Sequence, residues 1–419
     1  MRANYGEKLR KFILNNTKIE SFIDLGGQDI FEGVGVDANI IIYEKLSHFG
    51  QNYQFKTSNN LTEFTQFESK NLDSKCFNIE SNDLERQIKT KMEKTGTPLK
   101  EWDVKIYRGI LTGFNEAFII DTKTKEEICR KDAKSEEIIK PILRGRDISR
   151  YGYEWAGLWV INSHNGYGKV PRIDVEKDYP AIFDHLKKFE KECQKRTDQG
   201  EHWTNLRNCA YVEDFKKEKV VWPCIMTKES TFTFDNKGYY IVAPGNIIVG
   251  KDIKFINCIL NSKLTYFAFR SFYMGGGLEG ELKTNNLEQL PIPVIPLIEQ
   301  TPFIEKAQTM LALTKQLNEL SNKFLKLLSA DLGVVKITKK LEKWFELQAD
   351  EFFIEVGKQN KNLSLSQKSQ WLDYFEAEKQ KALALQNQIT KTDSEIDKMV
   401  YALYGLSEEE IGVVEGLVV

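Results

Sequence analysis

The chain has 419 residues, enough for two or three domains with a sizeable buried core. Hydrophobic residues make up 41% and charged residues 29%, ordinary proportions for a globular protein; no apolar run approaches a membrane span, and the polar start MRANYGEKLRK has no signal-peptide core behind it, so a cytoplasmic location is expected. With 59 basic and 61 acidic residues the net charge is −2, which excludes an overall basic protein but not a local basic surface for nucleic acid.

In chain order, YGEKLRKFILNN has helical spacing at Leu9, Phe12 and Ile13. IESFID and ANIIIYEK then read as buried strands on either side of the glycine-rich LGGQDIFEGVGVD. Residues 46–95 are polar and read as a connector with one helix near Leu84–Met92. From about 96, aromatic and basic residues interleave, and short β-like runs follow: VKIYRGI, EAFIID, LWVIN, KVVWPCI, TFTF, YYIVA and NIIVG. A helical stretch, YPAIFDHLKKFEKECQKR, interrupts them, which predicts a mixed α/β module. LPIPVIP (Leu290–Pro296) reads as an extended linker, because alternating prolines cannot continue a helix. Beyond it, apolar residues from Phe303 to Leu328 step at helical spacing, and residues 371–404 repeat the character. Gly405 offers a helix stop, and Ser407–Glu410 a capping box for a short last helix.

The cysteines (Cys76, Cys129, Cys193, Cys209, Cys224, Cys258) and the four histidines are scattered, so neither disulfides nor a metal site is expected. IDLGGQD has the composition of a cofactor-cradling loop, but such a loop should open a helix, and here a second strand follows, so a glycine turn is expected. Gly275, Gly276 and Gly277 lack the following lysine-serine pair of a P-loop. Asp103-Val-Lys105 is too short a match to carry a nuclease reading in so charged a chain.

Several stretches together resemble the C-terminal part of a type IIG restriction–modification enzyme, an adenine-N6 DNA methyltransferase with a TaqI-like C-terminal specificity domain. They are IFEGVGVDANIIIYEK, KIYRGILTGFNEAFII, IIKPILRGRDISRYG leading to LWVIN, YPAIFDHL with RTDQGEHWTNLRNCAY, VVWPCI, CILNSKLTYFAFR, LEQLPIP and the tail SEIDKMVYALYGLSEEEIGVVEG. Their order and spacing carry the likeness over most of the chain. The resemblance implies an upstream half holding S-adenosylmethionine, and an Asn/Asp/Ser-Pro-Pro-aromatic motif that grips the target amine. No two prolines of this chain are adjacent, so that motif is absent from it.

The expected architecture is α+β: residual edge strands of a Rossmann-like methyltransferase in residues 1–55, a linker in 56–95, a DNA target-recognition domain in 96–296 and a helical spacer or docking region in 297–419. The resemblance places Phe31 where such enzymes stack an aromatic ring on a flipped adenine; a core anchor is the other reading. Arg144, Arg146 and Arg150 are expected to hold DNA phosphates, with Asp147 pairing one of them and Arg144 and Arg146 sharing a face if extended. Arg108 and Asn115 lie among glycines, Asn115 as an adenine reader or a turn residue. Lys195, Arg196, Trp203 and Arg207 form a basic–aromatic stretch, or a solvated helix end with Trp203 docked in the core. Lys283 is a further phosphate candidate. The expected function is sequence-specific recognition of double-stranded DNA without catalysis by this chain alone, with a methyltransferase half, and a nuclease with it, on an upstream polypeptide. Two alternatives stay open: a portion of a longer, active adenine methyltransferase, and a helical interaction subunit that binds no DNA.

Overall fold

The computed structural model describes residues 6–25, 38–45, 52–58, 61–72, 74, 83–226, 228–273, 280–360 and 363–417. Phe31 and the triple glycine 275–277 lie outside them.

The first unit contains α1 (Glu7–Asn16), β1 (Thr17–Asp24), β2 (Asn39–Lys45), β3 (Gln54–Ser58) and β4 (Thr65–Glu68). They form one sheet in the order β2-β1-β3-β4, with β1 antiparallel to β2 and parallel to β3. Its own core holds Ile13, Ile19, Phe22, Phe55 and Phe67. β2 is an edge strand, and Ile40, Ile42 and Tyr43 on it are exposed, as are Leu9 and Phe12 on α1.

The second unit begins with α2 (Asp83–Thr95), β5 (Thr97–Pro98), β6 (Val104–Arg108), α3 (Asn115–Phe118), β7 (Ile119–Asp121), α4 (Thr122–Lys131) and β8 (Ile139–Leu143). It continues through β9 (Ile148–Ser149), β10 (Gly152–Tyr153), β11 (Leu158–Ile161), α5 (Val175–Asp178), α6 (Pro180–Lys187) and α7 (Glu190–Gln194). Then come β12 (Lys219–Trp222), β13 (Thr233–Asp235), β14 (Tyr240–Ile241), β15 (Asn246–Gly250), α8 (Ile253–Leu260), α9 (Lys263–Ala268), α10 (Thr284–Leu287) and β16 (Pro291–Ile292). Two four-stranded sheets result, β14-β8-β11-β7 and β13-β12-β15-β6. Strand periodicity explains how the second sheet serves two cores. Val220, Trp222 and Ile248 face α8 and α9, whereas Val221, Ile247 and Val249 face the core of the first sheet.

The last region is a long hairpin of α11 (Leu297–Leu332) and α14 (Leu365–Tyr404), with α12 (Lys339–Glu342) and α13 (Ala349–Gly357) between them and α15 (Glu408–Val414) after. Ser364 and Gln367 form a capping box at the start of α14, Gly405 ends it at φ +65°, and Ser407 with Glu410 caps α15. The far end of the hairpin has its own aromatic core, where the Phe324 and Trp344 rings stack 3.6 Å apart.

Two expected boundaries change. Residues 56–95, read as a linker, contribute most of β3, all of β4, and α2, whose Ile88 and Met92 are fully buried in the core of the second unit. The exposed polar residues on these elements are the solvent faces of half-buried strands and helix. LPIPVIP is not simply a spacer either: Pro291 and Ile292 pair antiparallel with Pro98 and Thr97, closing the unit at its two ends. The base of the helical hairpin is welded to the same core through Phe303, Ala307, Ile396, Val400, Tyr401 and Tyr404.

Candidate nucleic-acid interface

The register of the inner sheet sets a row at one end of the strands: Arg108 on β6 opposite Asn246 on β15, and Asn246 opposite Trp222 on β12. From buried Trp222 the chain leaves through Pro223 and Cys224. Gly145 lies beside it: a Cβ on it would stand 3.4 Å from the Pro223 side chain, at ordinary contact distance. On the other flank, the Leu282 amide donates to the Cys224 carbonyl at 2.8 Å and the Met226 amide to the Gly280 carbonyl at 2.8 Å. Three cationic positions that are remote in sequence, Arg108, Arg146 and Lys283, are thereby gathered around segment 223–226. All three are exposed. Lys283 lies 3.2 Å from Glu281, whereas Arg108 and Arg146 have no ion pair among the described residues.

Arg144 has a different role. Its Nε and Nη2 donate to both carboxylate oxygens of Asp147, at 2.7 to 3.2 Å, and the Asp147 carboxylate also accepts from the Arg144 amide at 2.8 Å. The fork raises the Arg144 pKa above its ordinary value. Asp147 is thus the local partner expected from the sequence. The shared face of Arg144 and Arg146 is not found, because Gly145–Asp147 is a 3-10 turn and not an extended segment. Residues two apart diverge at three residues per turn.

Arg150 turns inward. It donates to the Asn261 carbonyl through Nε (3.2 Å) and Nη2 (2.6 Å), and to the Asp393 carboxylate through Nη1 (2.7 Å) and Nη2. Its expected phosphate contact is therefore replaced by a clamp between the second unit and α14. Arg196 is also interior, 7% exposed, with its guanidinium donating to the carbonyls of Cys193, Thr112, Trp203 and Asn205. Every arm of that fork is engaged, so Arg196 acts as a tie between loops and not as a DNA contact. Desolvation holds its pKa below the ordinary value.

That tie brings segment 108–115 alongside segment 196–211. Asn115 opens α3, and its Oδ1 accepts from Thr112 Oγ1 at 2.5 Å, the local turn partner. Gly113, at φ +66°, packs against Asp198. Arg207 is exposed and pairs with Asp198 at 2.7 Å, and Lys195 is exposed at the end of α7. Trp203 rests half-buried against Phe183, with ring centroids 5.8 Å apart, on the rim of the core. Partly exposed pairs such as Arg207–Asp198 and Lys283–Glu281 contribute only about 0–1 kcal/mol, so an incoming anion can displace the carboxylate at little cost.

Sequence reasoning passed over one feature of this surface. The Tyr107 and Tyr211 rings stack 4.0 Å apart at 1°, and the Tyr211 hydroxyl donates to the Arg108 carbonyl at 3.0 Å. The signal present was the aromatic beside the arginine in IYRG; its partner lies a hundred residues on, where no spacing rule reaches. The assembled surface has the composition of a binding face: exposed forks and ammonium groups, flat rings and close loop turns.

Residues 140–292 match the family described as the TaqI-like C-terminal specificity domain, and residues 296–400 match a domain of unknown function, DUF8810. The type II methyltransferase M.BstVI of Geobacillus stearothermophilus is 24% identical over 307 residues, covering 65% of this chain and 52% of the relative. In fold, the chain is similar to the type IIL restriction-modification enzyme MmeI, solved in complex with DNA: TM-score 0.56, 12% identity, 99% of this chain and 47% of that one. The type IIG restriction endonuclease BpuSI matches at TM-score 0.37 and 12% identity over 96% of this chain and 46% of its own. The chain spans about half the length of these relatives.

Proposed function

We propose that this chain, which carries a TaqI-like C-terminal specificity domain in residues 140–292 and is distantly homologous to a type II methyltransferase, reads a specific sequence in double-stranded DNA for a restriction–modification methyltransferase. The observation that carries this reading is the gathering of Arg108, Arg146 and Lys283 around segment 223–226. These cations hold the phosphates and set the register. Asn115, Lys195 and Arg207 extend the same surface along segments 108–115 and 196–211, placing loop side chains against the base edges.

Transfer of a methyl group to adenine N6 needs S-adenosylmethionine, which the family resemblance gives to a methyltransferase half. We assign the cofactor and the methyl transfer to a methyltransferase half outside these residues. The exposed apolar side chains of β2 and α1 are the surface offered to that half. In the assembled enzyme Phe31 stacks on the flipped adenine, a role taken from the family resemblance and testable by Phe31→Ala with a fluorescent base analogue. Unchanged base flipping would remove it.

The test of the recognition role is selection from a randomised duplex pool with the full chain. One enriched motif is expected. Recovery of the input distribution, at any salt, would refute sequence reading.

A further inference from the structure

Trp222 and Met226 are buried at the two ends of segment 223–226, whereas Ile225 is 42% exposed, so its side chain stands out of the surface. The backbone on either side of it is tied. The Cys224 carbonyl accepts from the Leu282 amide and the Met226 amide donates to the Gly280 carbonyl, both at 2.8 Å, with Ile225 opposite Glu281 in an antiparallel bridge. Branching at Cβ stiffens the side chain as well. A lone exposed aliphatic residue is ordinary on a protein surface. The neighbours of this one set it apart. Gly145, with Arg146 after it, lies beside Pro223 on one flank, and Lys283 follows the bridge residue Glu281 on the other. Arg108 ends the row of paired strands that begins at Trp222. Burial and the Glu281 carboxylate raise the Cys224 thiol pKa, and the charges of Lys283 and Arg108 act on it in the opposite sense, so both cations reach the residue next to Ile225.

We propose, on the footing of the DNA-reading function above, that Ile225 is a specificity-determining residue that reads the C5-methyl group of a thymine in the major groove. An aliphatic side chain offers neither donor nor acceptor, so a phosphate or the polar edge of a base gains nothing from it. The thymine methyl is the apolar mark that the major groove displays, and the minor groove shows none. Cations on both flanks hold the backbone phosphates and bring the base edges over the segment between them. A wedge that unstacks base pairs needs a whole side chain clear of the protein surface. More than half of Ile225 is covered, which suits contact with a methyl group and not insertion.

The test starts from the motif that the full chain selects from a randomised duplex pool. Each thymine of that motif, on either strand, is replaced in turn by deoxyuridine, which removes the methyl group and keeps the base pairing, and affinity is measured by fluorescence anisotropy. Wild type is expected to bind roughly fourfold more weakly when one particular thymine is replaced, the worth of one buried methyl-sized group. Ile225→Ala is expected to lose that difference while keeping the wild-type salt slope and thermal midpoint. Ile225→Val, which keeps the branching at Cβ, is expected to retain it. A chain that selects a motif yet ignores the methyl group at every position overturns the role of Ile225 and leaves the DNA reading standing. Undiminished discrimination by folded Ile225→Ala does the same. Failure to select any motif removes the DNA reading, and this role with it.

Discussion

Arg150 donates to both carboxylate oxygens of Asp393, 243 residues away, and so ties the loop after β9 to the long helix α14. The same guanidinium holds the Asn261 carbonyl between α8 and α9. A residue that looks like a DNA contact is the bolt between the second unit and the helical hairpin. Removing one partner of a poorly solvated pair leaves the other charge uncompensated, which typically costs about 3–5 kcal/mol. Arg150→Met is therefore expected to lower the thermal midpoint, and Arg150→Met with Asp393→Leu to lower it less. Duplex affinity measured well below the midpoint is expected to change little in either variant.

Asp397, one turn along α14 from Asp393, reports on the same junction. It is 1% exposed, accepts from the Lys263 amide at 2.9 Å, and burial raises its pKa to about 6. Above that pH the folded chain holds a charge that the unfolded chain solvates freely, so folding is penalised. Between about pH 6 and the unfolded value near 3.9 the folded carboxyl takes up a proton that the unfolded one still lacks, and its contribution to stability improves as pH falls. Asp397→Asn is expected to exceed wild type in stability near neutral pH, by up to roughly 3 kcal/mol, with the difference closing toward about pH 4. Paired denaturant titrations across that range measure it; a difference that does not vary with pH would show that Asp397 ionises normally.

Lys219 and Asp235 form a fully buried pair at 2.6 Å between β12 and β13. Lys219 also donates to the Phe215 carbonyl at 2.7 Å, and Asp235 accepts from the Lys237 and Tyr239 amides. Lys219→Met should cost about 3–5 kcal/mol by stranding the carboxylate. Lys219→Met with Asp235→Asn, which removes the stranded charge and keeps an acceptor for one of the two amides, is expected to recover part of that loss in thermal melts.

Gly113 is held at φ +66°, where an added Cβ would meet the Asp198 carbonyl at 2.8 Å. Gly113→Ala therefore strains the turn that packs segment 108–115 against Asp198, the partner of Arg207, at a cost of order 1–3 kcal/mol. The expected readout is weaker duplex binding, with faster hydrogen exchange confined to segments 108–115 and 196–211.

Local chemistry made part of this molecule legible. Gly405 and the Ser407–Glu410 capping box were readable because a helix end is written within four residues. The strands KVVW and NIIVG were readable from their β-branched runs. Distances of a hundred residues or more hid the rest. Nothing near Arg150 foretells Asp393, nothing near Arg196 foretells the four carbonyls it holds, and Tyr107 meets Tyr211 only through the fold. The segment 56–95 was obscured for another reason: β3, β4 and α2 each bury only a few side chains, and their exposed residues dominate its composition.

The central claim is that Arg108, Arg146 and Lys283 form one phosphate-binding surface. Fluorescence anisotropy of the full chain on duplex DNA, from about 50 to about 200 mM salt, tests it most directly when wild type is set against Arg108→Ala/Arg146→Ala/Lys283→Ala. Each lost phosphate contact should reduce the slope of log K against log salt by about 0.9, so the triple variant is expected to flatten by roughly 2 to 3, with its thermal midpoint preserved. An unchanged slope in the folded triple variant, or no duplex binding by wild type at the lowest salt, would contradict the account.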